Sequence, residues 1–136
     1  WDLSIHLKKF DPKGFATHWY ADDLLLTHAG LAEGRDLIAQ DQKLHSFIQN
    51  NIYHGDLDYH FRDGGLNDIG SIITSRPQYN TPSRKYKQIF GHTPQKKVVP
   101  KYYNERNFWY ANIDTNLASY VLADTNNLDD LQVINL

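Results

Sequence analysis

Tyr86-Lys87-Gln88-Ile89-Phe90-Gly91-His92-Thr93-Pro94 is the stretch on which the fold of this chain turns. Aromatic and β-branched residues open it, and Gly and Pro close it, so it predicts a short strand that runs into a turn. From there to the C-terminus the pattern stays β-like. Val98-Val99, Trp109 to Ile113, Tyr120 to Leu122 and Leu131 to Ile134 are predicted strands, separated by Asn, Asp and Pro turns. Asp124 to Asp130 is acidic and Asn-rich without calcium-loop spacing, and is expected to be a hairpin turn.

Upstream the pattern is different. Leu24-Leu25-Leu26-Thr27 is an unbroken apolar run that stops at His28-Ala29-Gly30, the signature of a buried strand, although periodicity alone does not exclude helix. After Gly34-Arg35-Asp36, the residues Leu37, Ile38, Leu44 and Ile48 fall on one stripe, which predicts an amphipathic helix of about four turns ending near Asn50-Asn51. Phe10, Phe15, Trp19 and Tyr20 are candidate anchors flanking a turn at Asp11-Pro12-Lys13-Gly14. Residues 53–68 are read as loop, and Ile69 to Thr74 as a short apolar segment ended by Arg76-Pro77. One helix followed by many strands predicts a mixed α/β (α+β) layer architecture with a partly antiparallel sheet.

Composition narrows the chemistry. The 136 residues include 40% hydrophobic and 13% aromatic side chains, enough for a core. A net charge of −2, without a basic stripe, argues against nucleic acid as a partner. With no cysteine, disulfides, zinc–thiolate sites and thiol nucleophiles are excluded, and any metal must rely on His, Asp, Glu or Asn. There is no membrane-spanning apolar run and no signal-peptide pattern, so the expected location is the cytoplasm. The chain opens on Trp1 and contains no Met, which suggests a removed start or an excised piece of something longer.

Two segments share one design: an apolar strand, then a His, with Gly beside it. Leu26-Thr27-His28-Ala29-Gly30 is the first and Ile89-Phe90-Gly91-His92-Thr93-Pro94 the second. Imidazole is a common ligand for Zn, Mn and Fe, and open α/β sheets bind ligands where strands end. By pattern alone a His ending a strand serves more often as a hydrogen-bonded structural residue, and both readings stand.

Leu26-Thr27-His28-Ala29-Gly30-Leu31, followed 64 residues on by Phe90-Gly91-His92-Thr93-Pro94, and then Asn112-Ile113-Asp114-Thr115 with a closing strand, resembles the end of a calcineurin-like metallophosphoesterase. The likeness is to the bacterial and phage branch of the serine/threonine phosphoprotein phosphatases, which also includes diadenosine tetraphosphate hydrolases. It implies a metal-dependent phosphoester hydrolase with two divalent ions (Mn, Fe or Zn) that clamp the phosphate and activate water for in-line attack. It also implies a β-sandwich flanked by helices, of which residues 1–136 would be the C-terminal half: a mixed sheet with antiparallel C-terminal strands. His28 and His92 would both serve one metal, and Arg76, after Ile72-Ile73-Thr74-Ser75, would grip the substrate phosphate. A surface Arg before a turn is the competing reading of Arg76. Substrates would be phosphoproteins, dinucleoside polyphosphates or small phosphoesters.

The sequence also departs from the family. The Asp-x-His, Gly-Asp-x-x-Asp-Arg-Gly and Gly-Asn-His-Glu/Asp motifs do not occur in it. The second metal's ligands, the bridging Asp and the general-acid His would thus be lacking, and the chain alone is expected to be inactive. Its cut sheet would favour association with a missing N-terminal half, or self-association. The alternative is a non-catalytic remnant or fragment with a structural or interaction role and at most weak metal binding. Asn116 replaces the Gly usual after Asp-Thr, and Asn tolerates the positive φ that such a turn requires. His54-Gly55-Asp56-Leu57-Asp58-Tyr59-His60 lacks metal-site spacing and reads as loop; His6, His18 and His45 read as surface or satisfied polar residues. Ser4, Ser46, Ser71 and Ser83 lack a nucleophile-elbow context.

Overall fold

The computed structural model describes residues 16–54 and 69–136. The expectations for His6, Phe10, Phe15, the turn at 11–14, the Ile48 side chain and the loop over 55–68 fall outside these residues. Strands β1 (His18–Ala21), β2 (Leu24–Thr27), β3 (Lys87–Phe90), β4 (Lys101–Tyr103) and β5 (Asn107–Asn112) form a sheet in the order β1-β2-β3-β5-β4. Helix α1 (Leu37–His54) separates β2 from β3 in the chain, and β6 (Ser119–Asp124) with β7 (Asn127–Asn135) makes a separate antiparallel pair. The expected α+β architecture with a mixed sheet is thus present. The three central strands β2, β3 and β5 run parallel, while β1 and β4 pair antiparallel at the edges. No described helix is long and apolar enough to cross a membrane.

Two apolar clusters lie on opposite faces of the sheet. Leu25 joins Leu31, Leu37, Leu44 and Ile72 on the helix side. Leu24 and Leu26 turn the other way and, with Ile89, Phe108 and Ala111, pack against Leu128 and Val133 of the β6–β7 hairpin. A strand covered on both faces needs apolar residues at successive positions, which is why β2 reads as a continuous run. Phe108 and Ala111 are three positions apart, so a regular strand would point them to opposite faces. The ladder resolves this: Tyr102 pairs with Phe108 but Lys101 with Tyr110, leaving Trp109 as an extra residue. This bulge returns Ala111 to the face of Phe108, and Tyr110 stacks on Phe90 at 5.6 Å.

Several local expectations need correction. Val98-Val99 is irregular, and the strand falls at Lys101–Tyr103 instead. Pro100 supplies no amide for a ladder, although Val98 is still buried in the core. Trp19 and Tyr20 lie on an edge strand with half their surface exposed, so neither anchors the core. Helix α1 extends to His54, and its buried stripe is Leu37, Gln40 and Leu44, with Ile38 facing solvent. Gln40 was invisible to hydrophobic periodicity; its Oε1 accepts the Ile72 N–H at 2.8 Å. The hairpin expected within Asp124 to Asp130 is present, its turn held by the Asn126 N–H donating to Asp124 Oδ1 at 2.9 Å.

Candidate metal centre

The parallel register decides which residues meet. Leu26 pairs with Ile89, and Phe90 with Asn112, so β2, β3 and β5 end at one level. Just beyond lie His28, Gly91-His92 and Ile113-Asp114, at the carboxyl edge where open sheets place their ligands. Backbone bonds lace the three exits together: Gly91 N–H donates to the His28 carbonyl at 2.9 Å, and Ile113 N–H to that of Phe90 at 2.8 Å. Ala29 N–H donates to the Ile72 carbonyl at 2.8 Å, which draws the segment leading to Arg76 against the same edge.

The two candidate ligands come together. His28 Nε2 and His92 Nδ1 are 3.0 Å apart, and the ring centroids are 4.9 Å apart at an interplanar angle of 59°. His92 holds φ at 69°, a left-handed conformation that costs most residues energy and that His tolerates better than most. Such strain collects at functional sites. Gly30 is at φ 95°, and a Cβ there would sit 3.0 Å from the Phe90 ring, so the turn after His28 closes only with glycine. Gly30 N–H also donates to Thr27 Oγ1 at 2.8 Å.

Electrostatics favour neutral imidazole at His92, whose pKa is lowered. Burial is the main cause, followed by the charges of His28 and Arg76, while Asp114 pulls the other way. Neutral imidazole is the form that binds metal. The same balance places both Arg76 and Asp114 within electrostatic reach of His92. Arg76 is half-buried, and its carbonyl accepts N–H groups from Tyr79 at 2.9 Å and Asn80 at 2.8 Å, which caps the turn it starts. Of the three residues singled out in the sequence, His28 and His92 therefore meet, and the segment that leads to Arg76 is tied to the same edge at Ile72. Asp114 was quoted there as part of a motif but given no role; its place beside His92 follows from the β3–β5 register, which no local pattern encodes.

The 3.0 Å separation of the two ring nitrogens is a hydrogen-bond distance, with one imidazole N–H donating to the bare nitrogen of the other ring. Among the described residues no group of three or more His, Asp or Glu is placed to hold a metal ion. Of the other histidines, His18 and His45 lie 3.7 Å and 3.3 Å from Asp41, which fits their reading as satisfied polar residues. Compared with family models, curated proteins and solved structures, the chain matches none.

Proposed function

We propose that this chain carries the two-histidine part of a metal-dependent phosphoester hydrolase site, built on the C-terminal half of a metallophosphoesterase-like sandwich. The observation that carries the reading is the His28–His92 contact at 3.0 Å between residues 64 apart in sequence. His28 Nε2 and His92 Nδ1 would hold one divalent ion (Mn, Fe or Zn), and other ligands would complete its shell. Such an ion, when bound, polarises a phosphoryl oxygen and eases loss of a proton from water. The chain's own residues do the rest: Arg76 neutralises charge on the phosphoryl group with a planar pair of N–H donors, and His92 stays neutral for ligation. Asp114, beside Gly91, opposes the lowering of the His92 pKa that burial causes.

A non-catalytic reading is favoured by one specific observation, the lack of a third converging ligand among the described residues. Catalytic metals usually take at least three protein ligands. Two measurements on the full chain separate the readings. In thermal melts with added manganese the midpoint is expected to rise, by about 2.7 kcal/mol of stabilisation at a hundredfold excess over Kd, and the rise is expected to vanish in His28→Ala and His92→Ala. In a p-nitrophenyl phosphate assay, manganese-dependent turnover lost in His92→Ala and reduced in Arg76→Ala supports the hydrolase. Metal binding at the pair with no turnover even when the upstream half is supplied supports the non-catalytic reading, and a melt indifferent to metal sinks the hydrolase reading.

A further inference from the structure

A pocket of about 330 Å³ opens beside the histidine pair. Its wall begins where two site residues end: Pro77 and Gln78 follow Arg76, and Thr93 follows His92. Gln95, Lys101, Tyr110 and Asn112 complete its polar lining. Two of these amides are already oriented. Gln95 Nε2 donates to the Asn112 carbonyl, and Asn112 Nδ2 to the Thr93 carbonyl at 2.6 Å. Each amide group keeps a second hydrogen. Thr93 Oγ1 is buried with no hydrogen-bond partner.

The wall carries one charge, the Lys101 ammonium, and no carboxylate. Six of its side chains offer an N–H or O–H, and burial pushes the Tyr110 hydroxyl up, which keeps it a donor. We infer that this pocket holds a second anionic group of the substrate, phosphoryl or carboxylate, while the scissile phosphoryl group sits at Arg76 and the histidine pair. The inference rests on the phosphoester reading above. An apolar leaving group would make no use of the Lys101 ammonium or of the second amide hydrogens of Gln95 and Asn112. A cationic one would meet Lys101 with nothing to balance it. An anion accepts from several donors at once and pairs with the ammonium.

Calorimetric titration of the metal-free chain with three non-hydrolysable probes tests this. Methylphosphonate presents one anionic group, methylenediphosphonate two phosphoryl groups, and phosphonoacetate a phosphoryl group and a carboxylate. One or both bifunctional probes are expected to bind about tenfold more tightly than methylphosphonate, and Lys101→Gln is expected to abolish that advantage. Which of the two gains more identifies the second anion. Equal affinity of all three probes for the unaltered chain, absence of binding, or an advantage that survives Lys101→Gln in a variant with unchanged circular dichroism overturns the inference. The wild-type comparison stands even if the variant fails to fold. If manganese leaves the melting point unmoved while the bifunctional advantage persists, the phosphoester reading falls and the anion pocket stands. If manganese binds and the advantage is missing, the pocket falls alone.

Discussion

Leu117 sits at φ 66°, directly after Asn116 at φ 58°, and is 89% exposed. The Ala118 N–H donates to the Thr115 carbonyl at 3.1 Å, so the two residues form the centre of a tight turn with both φ values positive. Asn is well suited to the first of these positions. Leu is not, because its Cβ crowds the carbonyl in the left-handed region, at about 1–2 kcal/mol per residue. Its exposed side chain gains little from burial to offset this. Leu117→Gly creates the Asn-Gly pair that such turns favour, and is expected to stabilise the chain by about 0.5–1 kcal/mol, read as a higher urea midpoint at unchanged slope. The positive φ at Asn116 was legible from residue type. That at Leu117 was not, since nothing in a Leu side chain signals it and the geometry is imposed by the closure of the turn into β6.

Between elements, one buried amide ties the loop after β2 to the strand beside it. Gln88, in the middle of β3, is 0% exposed. Its Oε1 accepts the Leu31 N–H at 2.8 Å, and its Nε2 donates to the carbonyls of Leu31 and Ser83, each at 3.0 Å. These bonds pin the segment that starts at His28 against the strand that leads to His92. Gln88→Leu would keep the side-chain volume but leave the Leu31 N–H and the Ser83 carbonyl buried without these partners. The expected cost is about 2–4 kcal/mol in denaturant unfolding, with a weaker manganese effect because His28 loses its positioning. In sequence, Gln88 reads only as a polar interruption of an apolar strand. Its partners lie 57 and 5 residues away, and only the packed structure shows that its polarity is fully used.

For the molecule as a whole, aromatic burial sets the alkaline limit of stability. Burial pushes the hydroxyls of Tyr110 and Tyr103 up from their ordinary value, and at Tyr103 the Arg84 charge opposes the effect. The folded chain therefore keeps protons that the unfolded chain releases above pH of about 10. The contribution is fully present below that pH and is lost as pH rises through it. Stability is expected to fall as pH rises above about 10, and Tyr110→Phe is expected to flatten that decline, as measured by urea midpoints at increasing pH.

The sequence by itself determined the elements with strong local signals. The apolar run of β2, the helix starting at Leu37, the strand ending at Phe90 and the Asn-rich hairpin turn all arise from side-chain periodicity and turn chemistry, which act over a few residues. It also singled out His28 and His92 as candidates, because residue type and strand-end context are local properties. The meeting of these two was decided only by the tertiary structure. The parallel pairing of β2, β3 and β5 aligns three chain exits, and such register is set by which faces bury against α1 and the β6–β7 hairpin. The position of Asp114 beside Gly91, the bulge at Trp109 and the pocket around Lys101 depend on the same long-range packing, in which residues distant in the chain compete for two buried faces.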